Sequence, residues 1–349
     1  MHKIFLKKLL ILTVFLLILC GCQKNDVLDN SLNGLQPYEK SFFAMDTVIR
    51  ITVYAQDEAN AEALLQKAEA EFNRISDLCN ANTENMLRPE ASDVWRVNNA
   101  EGKACPVSEE IFNLLEKALK LSDAAGNSFD AAMGSLINLW DIKNGGYLPK
   151  ESEIKELLAK SGNDKIVLDR GALTVQLKDG AQLDLGGIAK GYATDCAAEI
   201  LRSGGIEHAL IDAGGNILAI GSKPDGKPWQ VGIRNPENPE SMVGVLALAD
   251  CAAVTSAVDQ RYFMADGVRY HHILDPKTGY PANTCLSLTV IYENSTEADL
   301  LSTALFVLGE QGIAEVMADI PSVELVLIGN DSAIMATAGA EQILTLLAE

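Results

Sequence analysis

Residues 184–212 read Asp184-Leu185-Gly186-Gly187-Ile188-Ala189-Lys190-Gly191-Tyr192, then ATDCAAEILRSGGIEH, then Ala209-Leu210-Ile211-Asp212. Glycines open the stretch, a helix is expected from Gly187 to Leu201, and a short strand follows at Ala209–Asp212. Further short strands crowd the chain to about residue 292, notably Gln230–Ile233 and Ser287–Tyr292. Upstream, Ile166–Leu168 and Leu173–Leu177 flank Asp169-Arg170-Gly171-Ala172 as a hairpin-like pair. Ser108 can cap a helix carrying Ile111, Leu114, Leu115, Ala118 and Leu121. Ala59–Leu78 has apolar residues at helical spacing, and Thr47–Tyr54 alternates as a strand. Downstream, Thr296–Leu308 reads as a helix, and Val323–Ile328 and Ala333–Ala336 as closing strands. Helices and strands mix without regular βαβ alternation, which makes the fold class α+β. No Pro/Gly-rich linker divides residues 41–349, so they are expected to form one domain.

The chain has 349 residues, of which 48% are hydrophobic, and a formal charge of −20. That composition excludes wholesale disorder. With no long basic run to bind phosphate backbone, nucleic acid is excluded as a partner. Lys3, Lys7 and Lys8 precede an apolar run from Leu9 to Leu19, too short to span a hydrocarbon core. Residues 1–21 therefore read as a signal peptide. It ends in Leu19-Cys20-Gly21-Cys22, which resembles a bacterial lipobox. Cleavage before Cys22 and lipidation of that residue would tether the protein to the extracytoplasmic, or periplasmic, face of a cell membrane. An ordinary secretory signal or an uncleaved anchor is the alternative. Cleavage leaves 25 basic against 48 acidic residues, or −23. Residues 22–40 then form the lipidated cysteine and a flexible polar tether. Cys79, Cys105, Cys196, Cys251 and Cys285 are scattered without CxxC spacing, so neither a zinc site nor a disulfide framework is indicated.

Four segments can carry chemistry. Glycines before the helix at Gly187 let backbone N–H groups approach a phosphate, and Lys190 can add charge, although such glycines usually mark only a turn. In Tyr270-His271-His272-Ile273-Leu274-Asp275-Pro276, two histidines are adjacent, so on a strand at most one readily reaches a given pocket. It would serve as a general base; the alternative is one packed and one exposed histidine. Asp299 and Thr303 lie four apart on one helix face, a pair suited to Mg²⁺, yet an Asp near a helix start is more often a cap or a solvated charge. Asp130, beside Phe129 and near Trp140, can hydrogen-bond a heterocycle, while Trp140 is more often core.

Taken in order, these segments resemble the ApbE family, the FAD:protein FMN transferases. The resemblance runs from Phe43-Ala44-Met45-Asp46-Thr47 through SDVWRVN (92–98), FDAAMGSLINLW (129–140), DLGGIAKGYATD (184–195), Gly214-Gly215-Asn216, Thr255-Ser256 and HHILDPKTG to Ala298-Asp299 with Thr303. It implies an ApbE-like domain over 41–349, with a mixed, largely antiparallel sheet and packed helices. It also implies a Mg²⁺-dependent enzyme that cleaves FAD, attaches FMN to a Ser/Thr hydroxyl of an acceptor protein and releases AMP. The acceptors would be subunits of membrane redox pumps or extracytoplasmic flavoproteins.

Carried onto this sequence, the metal ligands fall on Ala189 (through its carbonyl), Asp299 and Thr303. Met45, Asp130, Tyr192 and Ile273 match the FAD pocket, with Phe129 and Ala131 flanking and Gly186, Lys190 and the Thr255-Ser256 pair nearby. His272 matches the histidine that activates the acceptor hydroxyl. The sequence departs from the family at Asp46, where glycine is common, and at Ala257-Val258, in place of Gly-Asp. Two other functions stay open at this level: an FAD pyrophosphatase giving FMN and AMP, or a flavin-binding lipoprotein without turnover.

Overall fold

A computed structural model describes residues 34–81, 89–320 and 322–347. The expected signal peptide and Cys22 lie outside them, as does most of the tether. Gly34–Glu349 behave as one compact unit.

The main sheet has eight strands in the order β1 (Gln36–Ala44), β2 (Thr47–Ala55), β6 (Ala209–Ala213), β7 (Asn216–Ile220), β10 (Ala252–Ala257), β13 (Ser287–Tyr292), β14 (Glu324–Ile328) and β15 (Ile334–Ala336). Ladder pairs between these strands are antiparallel. The alternation in β2 puts Ile49, Ile51 and Val53 into the core, as the sequence period demands. Strand β1 corrects the expected tether, because Gln36–Lys40 pair with β2. As an edge strand it buries only one side, through Tyr38, Lys40 and Phe42, so its composition reads as polar linker. Phe42 meets Phe72 edge-on at 5.7 Å.

Three helices cover one face of this sheet: α1 (Glu58–Cys79), α6 (Ala189–Ser203) and α7 (Ser295–Val316). The other face carries a small sheet, β16 (Leu344–Leu346), β9 (Met242–Leu248) and β8 (Trp229–Arg234), around Trp229 and Leu246. A third sheet joins β3 (Cys105–Pro106), β5 (Thr174–Leu177) and β4 (Ile166–Asp169), the last two forming the expected hairpin. The remaining helices are α2 (Asp93–Asn98), α3 (Glu109–Ala124), α4 (Gly134–Trp140), α5 (Glu151–Leu158) and α8 (Ala338–Ile343). Ser108 caps α3 by accepting from the Ile111 N–H at 3.2 Å. Hairpin β11 (Tyr262–Ala265)–β12 (Val268–His271) stands apart from the sheets.

The helix expected to end at Leu308 breaks at Gly309 (φ 65°) and resumes beyond it. Trp140 is core: it is fully buried and donates through Nε1 to the Gly279 carbonyl at 2.8 Å. All five described cysteines are free thiols. Among the described residues no helix is long and apolar enough to cross a membrane.

Candidate active site

Two of the segments singled out in the sequence are laced together by their backbones. Asp184 donates its N–H to the Ala131 carbonyl at 2.9 Å, and Gly134 donates to the Gln182 carbonyl at 2.9 Å. Asn163 receives the Ala131 N–H, and Asp130 receives that of Ala132. Burial pushes the Asp130 carboxyl above its ordinary range, with the Ala132 N–H acting in the other direction. Burial likewise raises the Asp184 carboxyl, partly offset by the Gly186 N–H and by Arg261, Lys190 and Lys143 nearby. At the start of α6 the chain passes so close to its neighbours that a β-carbon on Gly187 would sit 2.8 Å from the Phe129 ring and 3.4 Å from the Thr303 hydroxyl. Phe129, Gly187 and Thr303 therefore border one space.

Asp299, buried on α7, holds the start of α6 against that space. One carboxylate oxygen accepts from the Gly191 N–H at 2.9 Å and the other from Lys190 Nζ at 3.2 Å. The helices can approach this closely only because residue 191 has no side chain: a β-carbon there would lie 2.7 Å from that of Asp299. From the α6 side, Asp195 accepts the Ser295 N–H (2.9 Å), the Thr296 N–H (2.8 Å) and the Thr296 hydroxyl, so it caps α7. Ser302 donates to the Asp299 carbonyl and pairs with Ser256 of β10 at 2.9 Å. The carboxylate of Asp299 and the hydroxyl of Thr303, one turn apart, are hard oxygen donors of the kind Mg²⁺ takes. Ala189 opens α6 immediately before Lys190.

The two histidines divide as adjacent strand residues should. His271 is packed: Nε2 faces the Ala282 carbonyl at 2.6 Å, Nδ1 receives the Ile273 N–H, and the ring meets Phe306 edge-on. His272 rests on one carbonyl, that of Arg261, which accepts its backbone N–H at 3.1 Å and lies 3.3 Å from its Nδ1. Burial, reinforced by the charge of Arg261 and then by His271 and Lys190, holds its imidazole neutral, with the pKa lowered to about 3. A neutral ring facing a carbonyl through Nδ1 carries its proton there, which leaves the Nε2 lone pair free to accept one.

The remaining expected residues are more dispersed. Met45 and Asp46 form the β1–β2 turn, both at positive φ. Arg261 donates to the Asp46 carbonyl at 3.2 Å, which brings this turn to the His272 side. Ile273 follows His272 into the core. Gly186 donates to Asp184 at 2.7 Å in the approach to α6. Tyr192 gives its hydroxyl to Glu110 at 2.7 Å, within a cluster where Arg74 bridges Glu71 and Glu110 beside Cys196. Of the Thr255-Ser256 pair, Thr255 meets the Thr289 hydroxyl at 2.8 Å and Ser256 meets that of Ser302 on α7 at 2.9 Å. Sequence reasoning gave no role to Asp195, Arg261 or Lys143. Asp195 lay in view within the same glycine-opened stretch, but its partners at Ser295 and Thr296 are about 100 residues away.

The ApbE family profile matches residues 45–327. The FAD:protein FMN transferase of Treponema pallidum (strain Nichols) is 32% identical over 93% of this chain and 92% of its own length. A protein of the same description from Klebsiella pneumoniae (strain 342) is 36% identical over 79% of this chain and 84% of its own. Among solved structures, the ApbE protein of Thermotoga maritima superposes with a TM-score of 0.81 at 34% identity, covering 88% of this chain and 99% of that one. The flavin transferase ApbE of Vibrio cholerae gives 0.77 at 26%, with the same coverage.

Proposed function

The chain belongs to the ApbE family, and from that premise we propose that it moves FMN from FAD onto a Ser or Thr hydroxyl of an acceptor protein, with Mg²⁺ and with release of AMP. It is an enzyme, a transferase of FMN from FAD to protein. The observation that carries the finer reading is the placement of His272. Its Nδ1 lies 3.3 Å from the Arg261 carbonyl, which leaves Nε2 without a partner among the described residues, and burial holds the ring in the neutral form able to take a hydroxyl proton.

In the reaction, the acceptor hydroxyl gives its proton to His272 Nε2 and its oxygen bonds to the FMN phosphorus. The bond from that phosphorus to the bridging oxygen breaks, and AMP leaves with that oxygen. Mg²⁺ held by Asp299, Thr303 and the Ala189 carbonyl would offset charge on the pyrophosphate oxygens. Lys190 keeps Asp299 in place from the start of α6 and adds a cation beside the phosphates in a protein of −20 charge. The loop at Phe129 to Ala131, packed on Gly187, would orient the flavin half. Lipidation at Cys22 would set this chemistry at the outer face of the cell membrane, within reach of membrane redox pump subunits.

The test is incubation of a form beginning at Gln23 with FAD, an acceptor protein and Mg²⁺ or chelator. Covalent flavin fluorescence on the acceptor with equimolar AMP, lost with chelator, is expected. AMP without labelled acceptor would replace the proposal with FAD hydrolysis. Intact bound FAD would replace it with a binding role.

A further inference from the structure

A cleft of about 360 Å³ lies at the mouth of this region, lined by Asp46, Ile142, Lys143, Gln260, Arg261 and Tyr262. Three separate pieces of chain meet there. The β1–β2 turn brings Asp46, the loop after α4 brings Lys143, and the segment between β10 and β11 brings Gln260 and Arg261. Lys143 Nζ pairs with the Asp46 carboxylate at 2.7 Å, and Arg261 donates to the carbonyl of the same residue at 3.2 Å.

The loop that presents Lys143 is firmly built. Asn144 donates to the Asp141 side chain at 2.8 Å, Gly146 to the Asp141 carbonyl at 2.9 Å, and Gly146 lies so close to Phe263 that a β-carbon there would run into its ring. Arg261 is fixed by its own carbonyl, which carries His272. Two cations thus line a space beside the proposed base, with Gln260, whose amide donates to the Thr255 carbonyl at 3.0 Å, at its edge. Asp46 is about half exposed and its carboxylate pairs with Lys143, an interaction that water screens heavily, while the buried Asp184 carboxyl lies near the same two cations without lining the cleft.

We propose that Lys143 and Arg261 form an anion subsite for a nucleotide phosphate, and that the Asp46 carboxylate occupies it until the phosphate displaces it. The subsite rests on the reading that FAD is the substrate, and it makes Asp46 a specificity-determining residue. The resident carboxylate lowers affinity for the intact dinucleotide and for the leaving nucleotide alike, so it favours product release. Removing it should tighten anionic ligands only.

The experiment measures binding of FAD, AMP, inorganic phosphate and riboflavin to the whole chain and to Asp46→Asn, Lys143→Gln, Arg261→Gln and Asp46→Asn/Lys143→Gln variants, each checked for an unchanged melting curve. Asp46→Asn should tighten FAD and AMP about 2- to 5-fold, the scale of one exposed ion pair. Lys143→Gln and Arg261→Gln should weaken them about 10-fold, the scale of a charge-assisted hydrogen bond, with riboflavin unchanged. In the double variant the gain from Asp46→Asn should vanish. Effects on AMP or inorganic phosphate as well as on FAD are the expected result and place a terminal phosphate in the subsite, whereas effects on FAD but not AMP would overturn the role in product release. Normal FAD and AMP binding by both Lys143→Gln and Arg261→Gln, or no tightening in Asp46→Asn, would overturn the subsite while leaving the transferase reading intact. Failure of the unaltered chain to bind FAD, with AMP binding still dependent on Lys143, would remove that reading and keep the subsite.

Discussion

The Nδ1 atom of His272 lies 3.3 Å from the backbone carbonyl of Arg261, and the same carbonyl takes the His272 N–H at 3.1 Å. One oxygen thereby fixes both the main chain and the tautomer of the proposed base. Replacing His272 by Ala should lower the rate of acceptor labelling about 10²- to 10⁴-fold, the usual worth of a general base. FAD affinity, read by flavin fluorescence quenching, should change little. Equal labelling rates in both proteins would remove His272 from the mechanism.

Because burial lowers the His272 pKa to about 3, the proposed base stays deprotonated well below neutrality. The same shift ties stability to pH. Unfolded, the ring titrates near 6.5; folded, near 3. Between those values the unfolded chain binds the extra proton, so stability is full above 6.5 and is lost as pH falls towards 3, by about 1.4 kcal/mol per pH unit. The raised carboxyls of Asp130 and Asp184 act in the opposite sense, so the diagnostic quantity is the difference between variant and parent. His272→Asn should lose less stability than the parent between pH 6.5 and 4 in urea titrations. Parallel curves would show that burial does not hold His272 neutral.

Asp299 binds Lys190 and the Gly191 N–H at once, so it serves both as the proposed metal ligand and as the link between α6 and α7. Asp299→Asn should abolish Mg²⁺-dependent labelling, a loss on the order of 10³ or more if the metal supplies several kcal/mol. Thr303→Val removes only a neutral donor and should act more mildly, raising the Mg²⁺ concentration needed for half-maximal activity. Unchanged Mg²⁺ dependence in both variants would move the metal elsewhere.

Strands and helices with strong periodicity were legible in the sequence, as Ile49, Ile51 and Val53 on β2 show. The polar edge strand β1 was not, because a strand buried on one side through Tyr38, Lys40 and Phe42 has the composition of a linker. The site divides similarly. Lys190 pairs with Asp299, and Gly187 lies against Phe129 and Thr303, so three motifs visible in the sequence meet in the fold, although no spacing within any of them announces the meeting. Asp195, Arg261 and Lys143 act through partners distant in the sequence, and for Arg261 the acting group toward His272 is a backbone carbonyl, which no side-chain pattern can announce.

Asp195 offers a test of that long-range wiring. Its carboxylate satisfies two backbone N–H groups and a hydroxyl at the start of α7. Asp195→Ala should cost about 1–2 kcal/mol of stability, the upper range for a helix cap, measured as a lower urea midpoint. Activity should fall less than in Asp299→Asn, because the start of α7 loosens while the carboxylate one turn further on remains.

Gly191 tests how tightly the two helices must meet. A β-carbon at this position would lie 2.7 Å from the Asp299 β-carbon and also strike the Ser295 carbonyl. Neither neighbour is a flexible side-chain end that can swing aside. Gly191→Ala would ordinarily favour a helix by up to about 1 kcal/mol, but here overpacking of about 1–3 kcal/mol opposes that gain. Net destabilisation is therefore expected, together with loss of Mg²⁺-dependent labelling as Asp299 is pushed away from Lys190. If the variant instead melts higher and keeps its activity, α6 and α7 are further apart than this geometry requires, and Asp299 cannot be held by the Gly191 N–H.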